Sequence, residues 1–297
     1  MQEHIGEIAA LGVAISWTIT ALSFEHASKK VGSLNVNLIR LPLALLFLCI
    51  FCYLFRGHGL PTDAGKHQWI WLTVSGLVGF TFGDLFLFKS YTYIGSRFSM
   101  LIMTLVPPLT AIMGWFSFGE KLTIISFLGM CLTIGGIVIV VNSHKDENTN
   151  KFSTHSLKGI LFAFFGSIGQ AGGLILSKIG MQQYNAFAST QIRIIAGAAG
   201  FIAIMLFMGR IKKLTEAFKN TSGMKGILLG SFFGPFIGVS LSLYSIQHAN
   251  TGIASTIMSI VPILIIPPSV LLFGQKVKSI EIIGAILSVI GVAMFFI

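Results

Sequence analysis

The sequence predicts an all-α membrane protein: ten transmembrane helices built as two inverted five-helix repeats. Three observations predict it. Of the 297 residues 54% are hydrophobic and 10% charged, and mean hydropathy is +0.85. A soluble domain carries about 25% charged residues, so a surface made from this chain could not be kept in water. Ten apolar runs each supply the roughly 20 residues that cross a hydrocarbon core about 30 Å thick at about 1.5 Å per residue. The two halves of the chain also share one register of Gly, Pro and charged residues.

Taken in order, the runs are 5–27, 34–55, 68–90, 96–118, 122–142, 157–179, 186–208, 224–246, 251–273 and 279–297. The first starts at Ile5 with no basic leader before it and continues to spanning length, so it reads as a helix rather than a cleaved signal peptide. The second holds Arg40, and the third holds Asp84 and Lys89 in GFTFGDLFLFKS. The fourth contains Pro107 and Pro108, and the fifth is spaced by Gly129, Gly135 and Gly136. A polar stretch at 142–158, NSHKDENTNKFSTHSLK, then divides the chain. The expected organisation is a first repeat at 1–142, a linker at 143–156 and a second repeat at 157–297. In that second repeat the runs carry Gln170, Arg193, Tyr244, then Pro262, Pro267 and Pro268, and last Gly284 and Gly291.

The repeat is visible residue by residue. VGSLNVNLIRLPLA and YNAFASTQIRIIAG place Arg40 and Arg193 at an offset of 153. Later in each half an offset of 155 pairs Gly79 with Gly234, Gly83 with Gly238, Ser90 with Ser245, Pro107 with Pro262 and Gly136 with Gly291. An odd number of helices per copy forces the second copy into the membrane upside down, which puts a pseudo-two-fold axis in the membrane plane.

Several function classes are disfavoured by the same residues. Cys49, Cys52 and Cys131 all lie in apolar runs and read as buried structural thiols rather than a disulfide framework or a zinc site. The histidines are scattered, with no HExxH and no Ser/His or paired-Asp cluster inside a span, which argues against an intramembrane enzyme. No metal or cofactor is expected. The 20 Lys and Arg against 10 Asp and Glu would suggest nucleic acid in a soluble protein. Here the basic residues fall mostly in short links between runs, the signature of membrane orientation, and no nucleic-acid partner is expected. Outside Arg40 and Arg193, four lie on the side of the termini (Arg56, Lys66, Lys121, Lys178) and fourteen on the other side. That count places both termini outside.

The run GDLFLFKSYTYIGSRFSMLIMTLVPPLTAIMGWFSFGEKLTIISFLGMCLTIGGIVIVV and its echo ending in FGQKVKSIEIIGAILSVIGVAMFFI resemble the drug/metabolite transporter superfamily, EamA-like branch. The Gly-Glu/Gln-Lys turn before a Gly-spaced helix in each half is its most specific element. The resemblance covers essentially the whole chain and implies ATP-independent transport of small metabolites, amino acids or drugs across the inner (plasma) membrane of a bacterium. No G-x-x-x-x-G-K-[ST] loop contradicts it. The implied termini are inside; the charge count, which uses this sequence, takes precedence. In the related four-helix multidrug proteins a membrane-embedded glutamate precedes a lysine by eight residues. Here that spacing falls on Trp17 and Glu25, and on Gln170 and Lys178, so that coupling carboxylate is absent.

An ionisable group inside a span costs several kcal/mol unless paired or wet, which makes each one a functional candidate. Arg40 and Arg193, placed by the inversion in opposite leaflets, are expected to flank a substrate pathway, against a reading in which they snorkel. Asp84 is the deepest acid and the expected coupling residue, against an ion pair with Arg40 or Lys89. Lys89 itself is expected either to take part in coupling or to snorkel. Trp17 and Gln170, at matching repeat positions, together with Tyr244, are expected as pathway wall. Pro107, Pro262 and Pro267 are expected to kink helices four and nine, while the glycine faces of helices five and ten are read as structural or homodimer-facing. The expected function is export of small metabolites such as amino acids by alternating access, with a small-molecule substrate and the lipid bilayer as partners. The alternative is a multidrug or lipid-linked-sugar exporter of the same fold.

Overall fold

The computed structural model describes residues 4–118, 123–142, 154–209, 212–248, 254, 257–274 and 277–294. Among them every regular element is helical. Helix α1 (Ile5–Val31) passes into α2 (Ser33–Arg56) through Gly32 alone, at φ 86°, a conformation that glycine adopts without a Cβ penalty. From α3 (Lys66–Gly76) the chain runs through a π-helical turn, Leu77–Gly83, into α4 (Asp84–Ile102). A 3-10 turn, Met103–Leu105, leads on to α5 (Val106–Phe118). Then follow α6 (Ile124–Asn142), α7 (Thr154–Met181), α8 (Ala186–Phe207), the short α9 (Lys212–Lys219) and α10 (Thr221–Ser231). A second π-helical turn, Phe232–Gly238, joins α10 to α11 (Val239–His248), and α12 (Val261–Leu264), α13 (Ile266–Phe273) and α14 (Ser279–Met294) follow among the described residues.

Seven helical paths are long and apolar enough to span a bilayer, and Val261–Leu271 and Ser279–Met294 are shorter apolar helices. The difference from ten expected spans has identifiable sources. One path, Lys66–Ser117, runs for 52 residues and covers two of them. It breaks at Gly95, where φ is 78° and ψ 164°, and folds back there. Ser90 Oγ donates to Ser99 Oγ at 2.7 Å, although nine residues of straight helix would separate them by about 13 Å. Part of the expected 251–273 span and the linker residues 143–153 lie outside the described residues.

The pseudo-symmetry appears in the contacts themselves. The two π-helical turns, Leu77–Gly83 and Phe232–Gly238, sit at the offset of 155 that pairs Gly79 with Gly234. Between α6 and α14, Thr133 Oγ1 donates to the Ser288 carbonyl and Ser288 Oγ donates to the Thr133 carbonyl, each at 3.3 Å. Those residues are again 155 apart, so the axis passes between them. Gly136 packs on Gly284, and Gly291 packs on Gly129 and Thr133. Numbering that rises in one helix falls in the other, so the two are antiparallel and the axis relating them is perpendicular to both. For helices that cross a membrane, that axis lies in its plane. Gly136, Gly284 and Gly291 are thus consumed inside the chain, which corrects the homodimer-facing reading for them. Large apolar side chains such as Leu54, Phe55, Phe116 and Phe207 cover the outer face, where lipid solvates them.

Candidate functional site

Asp84 begins α4 directly after the first π-helical turn. The wider turn re-aims the residues that follow it, a device found often at functional sites, and glycines let α7 come close. A Cβ on Gly169 would lie 2.5 Å from Gly83 Cα, and one on Gly173 2.7 Å from Gly79 Cα. Across this contact Gln170 Nε2 donates to Asp84 Oδ1 at 2.6 Å and to the Gly79 carbonyl at 3.3 Å. From α2, Arg40 Nη2 makes an ion pair with Asp84 Oδ2. Arg40 Nε donates to Asn37 Oδ1 at 2.9 Å, and Asn37 Nδ2 to the Asp84 carbonyl at 3.2 Å. The Arg40 guanidinium also lies 4.7 Å from the Phe88 ring and 5.5 Å from those of Phe24 and Phe80, distances at which aromatic faces attract a cation. Arg40 and Asp84 are therefore buried and fully engaged.

Arg193 is not. It is 5% exposed, and among the described residues it makes no hydrogen bond and no ion pair; its Nε has no partner. The guanidinium lies 5.0 Å from the Phe80 ring, with Nη2 against Gly79 and the Asp84 carboxylate near enough to act on its charge. Helix α8 is fixed at its start by Asn185, whose side chain accepts from the backbone N–H of Phe187 and Ala188. Gly76 holds the helix tightly at this level, since a Cβ there would strike the Arg193 carbonyl oxygen. Both arginines thus face one phenylalanine ring, where the sequence reading set them apart in opposite leaflets flanking a cavity. Arginine side chains are long enough to reach a shared centre from either side. Two guanidinium groups here face one carboxylate, and the excess positive charge resides on Arg193.

The remaining expected residues divide. Gln170 joins the centre, whereas Trp17 packs beside Gly238, the pseudo-symmetric image of the Gln170–Gly83 contact. Tyr244 stacks on His248 at 4.0 Å and packs against the cluster of Leu72, Ile192 and Leu243. Lys89 is exposed and lies 5.6 Å from the Tyr93 ring; Asp84 pairs with Arg40 instead, which corrects the Lys89 pairing. Pro107 is the second residue of α5, and Pro262 and Pro267 occupy the first turns of α12 and α13. Each stands just after a change of helical form within a longer apolar path, Lys66–Ser117 or Val261–Leu271, where the missing N–H costs little. Among the described residues no group of three or more His, Cys, Asp or Glu gathers to hold a metal.

The cavity lies elsewhere, at the end of the bundle where α1 and α6 finish and α7 begins. It measures about 400 Å³ and is lined by Glu25, Lys29, Tyr91, Thr92, Arg97 and Ser156 among others. The Glu25 carboxylate, in the last turns of α1, is buried. Oε2 accepts from the backbone N–H of Ser96 at 2.8 Å and also from the Ser96 hydroxyl, while Oε1 pairs with Lys29. It caps the helix limb that restarts after Gly95, and an IGS turn inside an apolar run was the only sequence signal for it. The opposite end is tied shut. Arg56 Nη2 meets Asp63 Oδ2 at 2.6 Å, Tyr184 Oη donates to Asp63 Oδ1 at 2.8 Å, and Gln247 Nε2 donates to the Tyr184 carbonyl at 3.0 Å. The slight burial of Asp63 pushes its carboxyl up, but the Tyr184 hydroxyl and the Arg56 guanidinium outweigh this and hold it below the usual carboxylate range. Tyr184 is pushed up to about 12, by burial first and by its bond to Asp63 second.

Comparison with known proteins agrees with this architecture. A solved crystal structure superposes with a TM-score of 0.68 over 97% of this chain and 95% of its own, at 16% identity, which shows the shared fold. The uncharacterized transporter YyaM of Bacillus subtilis is 26% identical over 96% of this chain and 91% of its own length. A chloroplastic WAT1-related protein of Arabidopsis thaliana is 20% identical over 93% of this chain and 66% of its own. The model of the EamA-like transporter family matches residues 4–142 and 157–297, nearly all of both repeats, and the chain belongs to that family.

Proposed function

We propose that this secondary transporter exports small metabolites carrying a carboxylate, amino acids foremost, across a bacterial inner membrane by alternating access. Its ten spans form two inverted halves, 1–142 and 157–297, joined by 143–156. The observation that carries the reading is Arg193: a buried guanidinium with no ion pair of its own, which shares the single carboxylate of Asp84 with Arg40. Such a group costs several kcal/mol to bury, a cost that falls when an anionic group docks. Arginine presents a planar fork of donors that matches a carboxylate, whereas a cationic drug would be repelled. Direction is supported by the cavity, which opens on the side carrying fourteen of the basic residues, cytoplasmic by the charge rule. The test is exchange of radiolabelled amino acids by the purified protein in proteoliposomes. Arg193→Gln should lower that exchange about tenfold or more, the worth of a charge-assisted hydrogen bond. Undiminished exchange would remove Arg193 from the pathway.

A further inference from the structure

The cavity at the basic end contains a charged pair whose two members are held very differently. The Glu25 side chain is 6% exposed and the Lys29 side chain 54%. The carboxylate is fixed by the Ser96 N–H and hydroxyl, while its counter-ion sits on a long, hydrated, flexible stem. A fixed anion with an exchangeable cation is a receptor for another ammonium group, because Lys29 regains full hydration when displaced. Across the same cavity Tyr91, Tyr93 and Ile94 supply apolar surface, and Arg97, paired with Glu281 at 2.9 Å, adds a second cation to the wall.

We propose that this vestibule is a reception site for ligands that carry both an ammonium and a carboxylate group. The ammonium takes the place of Lys29 on Glu25, and the released Lys29 takes the carboxylate. The charge pair is exchanged for two pairs without leaving a charge alone in the cavity, so a zwitterion is favoured over an amine or an acid of the same size. Because Glu25 also holds Ser96, occupancy bears directly on the limb that restarts at Gly95. The class of ligand rests on the function proposed above, but the site lies at the bundle end and is distinct from Arg193.

Ser156 lines the cavity, so Ser156→Cys in the purified full-length protein reports on it through its reaction rate with a water-soluble maleimide. The unsubstituted protein sets the background from Cys49, Cys52 and Cys131. The probes are alanine, serine and leucine at millimolar concentration, each beside the amine and the carboxylic acid that lack one of its charges. The amino acids should slow labelling about tenfold, and the single-charge compounds should not. Glu25→Gln should abolish the protection, while Lys29→Gln, which leaves the carboxylate without its counter-ion, should make the amines protect as well as the amino acids. Protection by the acids alone, no protection by any amino acid, or unchanged protection in Glu25→Gln overturns the proposal. If Glu25→Gln does not fold, the selectivity of Lys29→Gln decides. Amino-acid exchange in proteoliposomes without protection at position 156 would sink the vestibule and spare the function; protection without exchange would do the reverse.

Discussion

Arg40 and Arg193 occupy equivalent positions in the two repeats, yet their environments predict unequal responses to the same substitution. Arg40→Gln strands Asp84 in the interior, and breaking a buried pair in this way costs about 3–5 kcal/mol. Arg193→Gln removes a charge that makes no ion pair of its own and only shares the field of Asp84, so it should shift the midpoint of thermal unfolding in detergent far less. If both variants lose stability equally, Arg193 has a partner that its surroundings do not show. Asp84 connects α2, α4 and α7 through Arg40 and Gln170, so its charge state bears on contacts between the two halves. Asp84→Asn should abolish transport driven by an imposed pH gradient in sealed vesicles. Wild-type rates in that variant would make Asp84 a structural pair partner. The Arg40–Asp84 pair was readable in the sequence as one of two alternatives, since an acid that deep needs a cation. The sharing of Asp84 by Arg193 was not, because it depends on the whole surrounding shell.

At the scale of elements, the glycine register does what lipid cannot. Helices in a bilayer gain little from hiding apolar surface from one another, so close backbone approach and interhelical hydrogen bonds carry the association. Gly136→Val places methyl groups against the Gly284 carbonyl and Ser288 and should cost about 1–3 kcal/mol or more. Gly135→Val, one residue away, has nothing within 4 Å of its Cβ and should be close to neutral. Thermal unfolding of the two variants side by side checks this. The spans and the repeat were legible because hydropathy and residue spacing are one-dimensional. The break at Gly95 was placed to within a few residues as a gap between spans. Its trans cap by Glu25 was not, because that contact joins residues 71 apart and looks in the sequence like an ordinary charged helix end.

At the scale of the whole molecule, one end holds a vestibule and the other is tied shut through Arg56, Asp63 and Tyr184. The pH window of that closure follows from the two titrating groups. A carboxyl held below its usual value contributes above the ordinary value of about 4 and loses its contribution as pH falls through the depressed one. A tyrosine pushed up to about 12 contributes fully below the ordinary value of about 10 and loses its contribution as pH rises through the raised one. Closure should therefore hold between these limits and weaken on either side. Labelling of a cysteine placed at Ala186, which is buried two residues beyond Tyr184, should accelerate in acid and in strong alkali. Asp63→Asn should raise the rate at neutral pH and remove the acid limb of the profile.

The reciprocal hydrogen bonds between Thr133 and Ser288 also have a consequence for biosynthesis. They join residues 155 apart, so the small-residue face of α6 enters the bilayer well before the helix that covers it has been made. At about 5–20 residues per second, the delay is roughly 8 to 30 seconds. During that interval the ribosome-bound nascent chain presents an unsatisfied, self-associating surface to every other newly inserted helix. Premature termination ahead of α14 would make that exposure permanent and leave a stranded half that membrane quality control can recognise.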